Sequence, residues 1–328
     1  MKKRIDPGYL ISLLLSVVLA FVIGAVILAI AGFSPGKAYL AMLNGAFSSA
    51  RHIGDLLEYA MVLCLCGLAC VLGARVGIFN VGGEGQLLLG AIVACQVGVW
   101  LDGLTPWLVL PLAALAAMAA GGLYALIPGV LKVKVKVNEV ITTIMLNTVA
   151  ASFCQYLAKG PWKHANKNMV AATEQLNARY WFGGLIGGSN LSTAILAAAV
   201  LALVIWYVMQ KTSRGYEMKL TGQNERFARF IGRTDRLVLV CMLLSGALCG
   251  LVGMFRVYGA EHLFRDSISR DYYFEGLMVA MIARYQPLAV VFLSLFFAAL
   301  KIGAQGMELA AGVPNQIYLI IQTVVIFL

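Results

Sequence analysis

Charge is what this chain has least of. Of its 328 residues, 12% are Asp, Glu, Lys or Arg and 61% are hydrophobic, with a mean hydropathy of +0.86. A soluble domain carries about 25% charged residues, so roughly half of the usual solubilising charge is missing, which excludes a water-facing fold. The gaps between charges are long. No charged residue falls between Asp6 and Lys37, between Asp102 and Lys132, between Arg179 and Lys211, or from Leu309 to Leu328.

Ligating and catalytic patterns are scarce too. There are three histidines (His52, His164 and His262), and none stands at metal-ligand spacing from a cysteine pair. The seven cysteines lie in apolar runs and read as small packing residues. The chain has no G-x-x-x-x-G-K-[ST] phosphate loop, no H-E-x-x-H and no Gly-x-Ser-x-Gly elbow. It therefore reads as no enzyme and as needing no cofactor, and any chemical energy it uses must come from a partner. The net charge of +10 is assigned to loops on the cytoplasmic side of a membrane and not to nucleic-acid binding.

What is present is a series of apolar runs. A membrane-spanning helix needs about 20 mostly apolar residues, because its backbone polar groups must be satisfied within the segment. Ten such segments are predicted: 9–32, 57–74, 84–101, 107–131, 139–158, 191–210, 237–257, a short one at 275–283, 287–306 and 313–328. The first exceeds the roughly 7–15 residues of a secretion-signal core and is read as a span. Fifteen Lys and Arg fall on the side of the N-terminus and nine on the other, with Lys301 inside a span. The positive-inside rule then predicts both termini in the cytoplasm. Five spans precede the long 159–190 loop and five follow it, so an all-α fold of two inverted five-helix halves is expected. In that scheme the third and eighth spans correspond. Both are short, and both follow polar, irregular sequence: Asn80-Val-Gly-Gly-Glu84-Gly85-Gln86 and Asp271-Tyr-Tyr-Phe-Glu275-Gly276. Interrupted segments at matching places in two halves are a pointer to a translocation site.

Three stretches hold the polar residues of interest. The first, Gly77 to Gln86, sets four glycines beside Asn80, Glu84 and Gln86 at the mouth of a span. It is either a solvated surface turn or the lining of a cavity. The second runs from Lys132 to Asn147. Its alternating Lys and Val predict a short extended segment, followed by a helix capped by Asn138. Glu139, Thr142 or Thr143, and Asn147 recur at three- to four-residue spacing, so part of this polar set shares a face that meets either other helices or the pathway. The third is the 211–236 loop. Within 225–233, Phe227, Phe230 and Ile231 take one side of a helix and Arg226, Arg229 and Arg233 another. Such a helix either lies on anionic lipid or offers its phenylalanines to a cytoplasmic partner.

These motifs carry a resemblance. Asn80 to Gln86 with Gly90-Ala91, Val137 to Asn147, Thr221 to Gly232, Ser245 to Gly253, and Phe274 to Pro287 are similar to the nucleoside-type permeases of ABC importers. The Asp-Leu-Ser-Val-Gly pattern of the sugar-type relatives is absent, which favours nucleosides over ribose-like sugars as cargo. The resemblance implies one permease domain over residues 1–328 in the cell membrane, a second and different permease subunit, ABC ATPase subunits, and an extracytoplasmic binding protein docking on loops 33–56, 159–190 and 258–274. It further implies an ATPase-coupling helix over Gly222–Gly232, comprising Gly222, Asn224, Arg226, Phe227, Ala228, Phe230 and Gly232. The family tends to have two small residues in the middle of that motif, where this chain has Phe227-Ala228. Asn80, Glu84, Gln86, Glu139, Thr142, Thr143 and Asn147 are expected to line or gate the pathway. The rivals are a sugar permease of the same class, an ion-coupled transporter using Glu58, Glu84, Glu139 and Glu308, and a structural or signalling membrane subunit. The Ser245–Gly253 run needs only a packing role, since small residues at four-residue spacing let membrane helices approach closely.

Overall fold

The structure is a computed structural model that describes residues 7–165, 171–224, 234–269, 271–314 and 317–327. Its elements are α1 (Pro7–Ile30), α2 (Pro35–Phe47), α3 (Ala50–Ala74), α4 (Gly83–Trp100), α5 (Pro106–Val130), α6 (Glu139–Lys159), α7 (Ala194–Lys211), α8 (Ser213–Gln223), α9 (Thr234–Arg256), α10 (Tyr272–Ile282), α11 (Pro287–Ala311) and α12 (Ile317–Phe327). Among the described residues there is no strand, only three isolated bridges that pin the loop between α6 and α7 and the stretch before α10. Seven helices are long and apolar enough to cross a membrane: α3, α4, α5, α6, α7, α9 and α11, with α5 and α9 lengthened by a π-helical turn. Val17–Ile30 of α1 and Tyr272–Ile282 of α10 are shorter apolar helices.

Two local expectations are corrected. The alternating Lys132–Val135 is not extended; it continues α5 as a π-helical turn over Leu131–Val135. The helix stops at Lys136, whose φ of 62° is left-handed, and Asn138 then opens α6. Alternation over so few residues fits either state, and the turn hydrogen-bonds to the helix already formed before it. Likewise 33–56 is not a loop. Pro35 at the first turn starts α2, and α3 begins at Ala50, where its polar first turns had hidden a helix that becomes apolar only later.

The chain divides into two compact units, Glu58–Ser294 and Met1–Leu57 with Leu295–Leu328. In the second, α1 runs beside α12, and Gly45 of α2 lies against Gly306 of α11 so closely that a Cβ on Gly45 would stand 2.6 Å from the Gly306 Cα. In the first, α4, α5 and α9 form a tight three-helix core. Its closeness follows from small residues at four-residue spacing. A Cβ on Gly250 would lie 2.1 Å from the Ala117 carbonyl oxygen, and one on Gly90 2.2 Å from the Gly250 Cα. Lipid tails are as apolar as leucine, so helices in a bilayer associate through such backbone proximity more than through hydrophobic burial. Among the seven long apolar helices described, α3 is buried over nearly all of its apolar length, while α6 and α7 keep most of theirs exposed.

Candidate functional site

Asn80 is the centre of a buried polar cluster. After α3 the chain turns at Gly77 (φ +79°) and runs back along the helix it has just left, since a Cβ on Gly73 would meet the Ile78 carbonyl oxygen at 3.0 Å. Asn80 is thereby carried to full burial. Its Nδ2 donates to Gln86 Oε1 and to Ser245 Oγ, each at 3.0 Å. Its Oδ1 accepts from the Gly82 amide at 3.0 Å and from Gln86 Nε2 at 3.2 Å. Ser245 in turn donates to the Ala69 carbonyl at 2.7 Å. Every polar atom of the Asn80 side chain is thus paired, as a buried amide requires.

The depth of this cluster matters. Ser245 lies 11 residues beyond Thr234, about 16 Å along α9 at 1.5 Å per residue, near the middle of that helix. The helix α4 therefore begins inside the thickness of the bundle, where its first N–H groups have no water to meet. Asn147, on α6, supplies partners for the turn. Its Oδ1 accepts from the Gly85 amide and its Nδ2 donates to the Val81 carbonyl, both at 2.9 Å. Thr143, one turn earlier, accepts from the Val81 amide at 3.3 Å. The glycines are needed because the neighbours are close: a Cβ on Gly83 would fall 2.0 Å from the Tyr273 ring, and one on Gly85 2.8 Å from the Ala150 Cβ.

The start of α10 meets the start of α4 here. Asp271 precedes α10 with a left-handed φ of 61° and gives no side-chain cap. Glu84, in the first turn of α4, does the capping instead. Its Oε2 accepts from the Tyr273 amide at 3.1 Å, and its Oε1 accepts from the Ser269 hydroxyl. The Tyr273 hydroxyl donates to the Asn80 carbonyl. A carboxylate at the positive end of a helix is favoured by the backbone dipoles. The polar stretches that lead into α4 and α10 are thus joined directly in space.

Of the residues singled out by sequence, Asn80, Glu84, Gln86, Thr143 and Asn147 come together. Glu139 and Thr142 do not. Glu139 pairs with Lys132 at 2.7 Å where α6 begins, and Thr142 donates back to the Asn138 carbonyl at 2.9 Å. Asn138 caps α6 through the Val140 amide at 2.9 Å. In the 211–236 loop, Gly222 lies at the end of α8 against the turn after α3, where its Cβ would be 2.5 Å from the Arg75 carbonyl oxygen. Asn224 closes α8 with its amide on the Leu220 carbonyl. Arg226, Phe227, Ala228, Phe230 and Gly232 lie outside the described residues. Met218 of α8 packs with Val76, Ile78, Val238, Cys241 and Met242, so both flanks of that loop touch the turn leading to Asn80.

Sequence reasoning missed several partners. Ser245 read as a packing residue, and Tyr273 carried no signal beyond its place beside Glu275. Arg256, at the end of the predicted 237–257 span, carried no signal either; it is 6% exposed. It donates to Glu58 at 2.5 Å and to Glu261 at 2.9 Å, and its guanidinium stands 5.2 Å from the Tyr272 ring centre. Nearby, Tyr59 donates to Glu275 at 2.6 Å. No pattern along the chain pairs residues 58 and 256. Among the described residues no group of His, Cys, Asp or Glu is arranged to hold a metal ion. What the arrangement offers is hydrogen bonding and charge at the meeting point of two interrupted helices.

Comparison with known proteins follows the same lines. Residues 52–328 match the family described as branched-chain amino acid transport system / permease component. The chain is similar to the guanosine ABC transporter permease protein NupP of Bacillus subtilis, at 32% identity over 99% of this chain and 94% of that protein. It is similar to the glucose ABC transporter permease protein TsgB13 of Haloferax volcanii, at 34% over 99% and 88%. It also resembles the nucleoside ABC transporter permease protein NupB of Lactococcus lactis, at 30% over 96% and 88%. No solved structure gives a significant match.

Proposed function

Because the chain belongs to the permease family of the branched-chain amino acid transport type and is a multi-pass protein of the cell membrane, we propose that it forms half of the membrane pore of an ATP-driven importer of nucleosides. The observation that carries this reading is the meeting of α4 and α10 inside the bundle, with Glu84 of one capping the other. Interrupted helices whose N-termini converge near the membrane centre are the architecture of transport sites. Relatives named for guanosine and nucleoside transport support the cargo.

In this reading the whole chain is one permease domain of ten spans in two inverted halves, with both termini cytoplasmic. It pairs with a second, different permease, receives cargo from an extracytoplasmic binding protein and is driven by ABC ATPase subunits. Residues Gly222 to Gly232 dock on the ATPase. The placement of Gly222 on Arg75 and Gly77 supports that role, since a push there reaches Asn80 within a few residues. Asn80, Gln86, Thr143 and Asn147 hold the turn before α4, and Glu84 latches it to α10. Glu139 and Thr142 set the start of α6 at the edge of the pathway. Movement of the latch requires that the ATPase discriminate between two arrangements of the pore.

A second reading rests on one specific observation, the 34% identity to a glucose permease, and takes a simple sugar as cargo. Uptake of radiolabelled guanosine into cells carrying the full transporter separates the two. The nucleoside reading expects ATP-dependent uptake that survives excess unlabelled glucose and ribose and falls with Glu84→Ala. Uptake abolished by either sugar would replace nucleosides with sugars. Uptake that follows an ion gradient after ATP depletion would sink the importer reading itself.

A further inference from the structure

The exposed surface of α6 is divided. Its buried side is Thr143, Ala150, Cys154 and Ala158. Of the residues left exposed in the upper half, Val149, Phe153 and Tyr156 fall on one flank, with exposures of 57%, 50% and 65%. Thr148, Ser152 and Gln155, spaced by four and three residues, fall together on the other, and all three are exposed. A large apolar flank suits lipid or another apolar helix. A polar stripe does not, because a membrane helix turns its polar side to protein or water.

The stripe opens into a cleft. Ala151, Ser152 and Gln155 of α6 face Leu88 of α4 and Phe264 and Asp266 from the stretch before α10, around a volume of ≈ 260 Å³. That is close to the lower end of the roughly 300–1,000 Å³ of small-molecule sites. Gln155 donates to Asp266 across it at 3.3 Å. Leu88 stands one helical turn above Glu84, and Thr148 follows Asn147, which holds the Gly85 amide. The cleft thus lies one turn along α4 from Glu84 and one turn along α6 from Asn147, beside the place where α4 and α10 meet. Its walls offer a carboxylate, an amide and a hydroxyl, with Leu88 and Phe264 buried beneath them. An uncharged solute with several hydroxyls and hydrogen-bonding ring edges suits those walls, which hold donors and acceptors for both.

We propose that this cleft, with Ser152, Gln155 and Asp266 as its contacts, is where a nucleoside is held on its way to Glu84. The proposal rests on the importer reading and adds a contact site that the polar cluster around Asn80 does not supply, since that cluster is closed upon itself.

The test uses the assembled transporter in membrane vesicles and a hydrophilic, membrane-impermeant maleimide. The seven native cysteines are buried, so wild type gives the background. Ser152→Cys and Thr148→Cys are compared with Leu203→Cys, which sits at 61% exposure on the apolar face of α7. A thiol in water ionises and reacts while one in lipid does not, so the first two are expected to label about tenfold faster or more. Excess guanosine is expected to slow labelling of Ser152→Cys severalfold. Protection by glucose instead would keep the site and replace the cargo. Labelling no faster than Leu203→Cys, or labelling that neither solute slows, would overturn the proposal. Guanosine uptake by the wild-type complex, measured on the same vesicles, tests the importer reading separately.

Discussion

The two interrupted helices carry the same pair of residues near their starts, Glu84-Gly85 in α4 and Glu275-Gly276 in α10, yet they are held by different chemistry. The approach to α4, residues 76–82, contains no ionisable side chain. It is fixed by neutral amides: Asn80 with Gln86 and Ser245, and Asn147 with the backbone on either side. The approach to α10 is surrounded by charge. Arg256 links Glu58 to Glu261 beside Tyr272, and Glu275 receives the Tyr59 hydroxyl. A neutral network costs little to bury and holds one geometry. A buried ion pair is nearly neutral in net energy but costly to break. Both starts are therefore fixed by pairings that are costly to leave unmade, but only the second sets full charges inside the bundle.

That contrast can be broken in stages. The largest effect is expected from Arg256→Met, which leaves Glu58 and Glu261 without their cation and is expected to destabilise the protein by about 3–5 kcal/mol. Thermal unfolding in detergent measures it, and adding Glu58→Met is expected to restore part of the loss. An unchanged melting temperature would mean the triad holds nothing.

Next come the glycines. Gly276→Ala puts a Cβ 2.6 Å from the Cys66 Cβ and 2.9 Å from the Gly67 amide nitrogen, whereas the nearest atoms to a Cβ at Gly83 are those of the Tyr273 ring. Each is expected to cost about 1–3 kcal/mol through overpacking. Only Gly83→Ala is expected to recover when combined with Tyr273→Leu, because a side chain can withdraw and backbone cannot. Equal rescue of both by their neighbours' truncation would contradict the geometry.

Smaller again is the amide frame tested singly. Asn147→Ala strands the Gly85 amide and the Val81 carbonyl and is expected to cost about 2 kcal/mol, against about 1.5 kcal/mol for Tyr59→Phe, which removes one hydrogen bond to a carboxylate. The order of the two melting temperatures is the readout.

The smallest effect separates the two approaches by pH. His262 opens the stretch before α10, stacked on Trp181 with ring centres 3.7 Å apart. Burial lowers its pKa below the usual 6.5, with Glu261 opposing. A histidine kept neutral in the fold binds a proton more readily once unfolded. Stability is therefore full above about pH 6.5 and declines as the pH falls below it. His262→Gln is expected to flatten that decline, measured as melting temperature from pH 7.5 to 5. A variant that keeps the wild-type slope would assign the acid sensitivity to another group.

Much of this protein was legible from sequence. The charge-free runs required membrane helices, because a bilayer forces each segment to satisfy its own backbone; Asn138 marked the start of α6; and the small residues of α9 implied close packing. The glycines and amides around Asn80 also stood out, since polar groups inside apolar surroundings need a reason. Other features depend on pairings across long stretches of chain. Glu84 with Tyr273, Arg256 with Glu58 and Asn147 with Gly85 each join residues that local periodicity cannot connect. Lys132–Val135 continues a helix because hydrogen bonds from the preceding turn outweigh a strand-like alternation of four residues. The sequence by itself determined which segments are apolar enough to cross a membrane, since hydropathy is a property of each segment alone. Only the tertiary structure decided which polar groups inside it would satisfy one another, because a buried hydrogen bond has no partner until two distant segments meet.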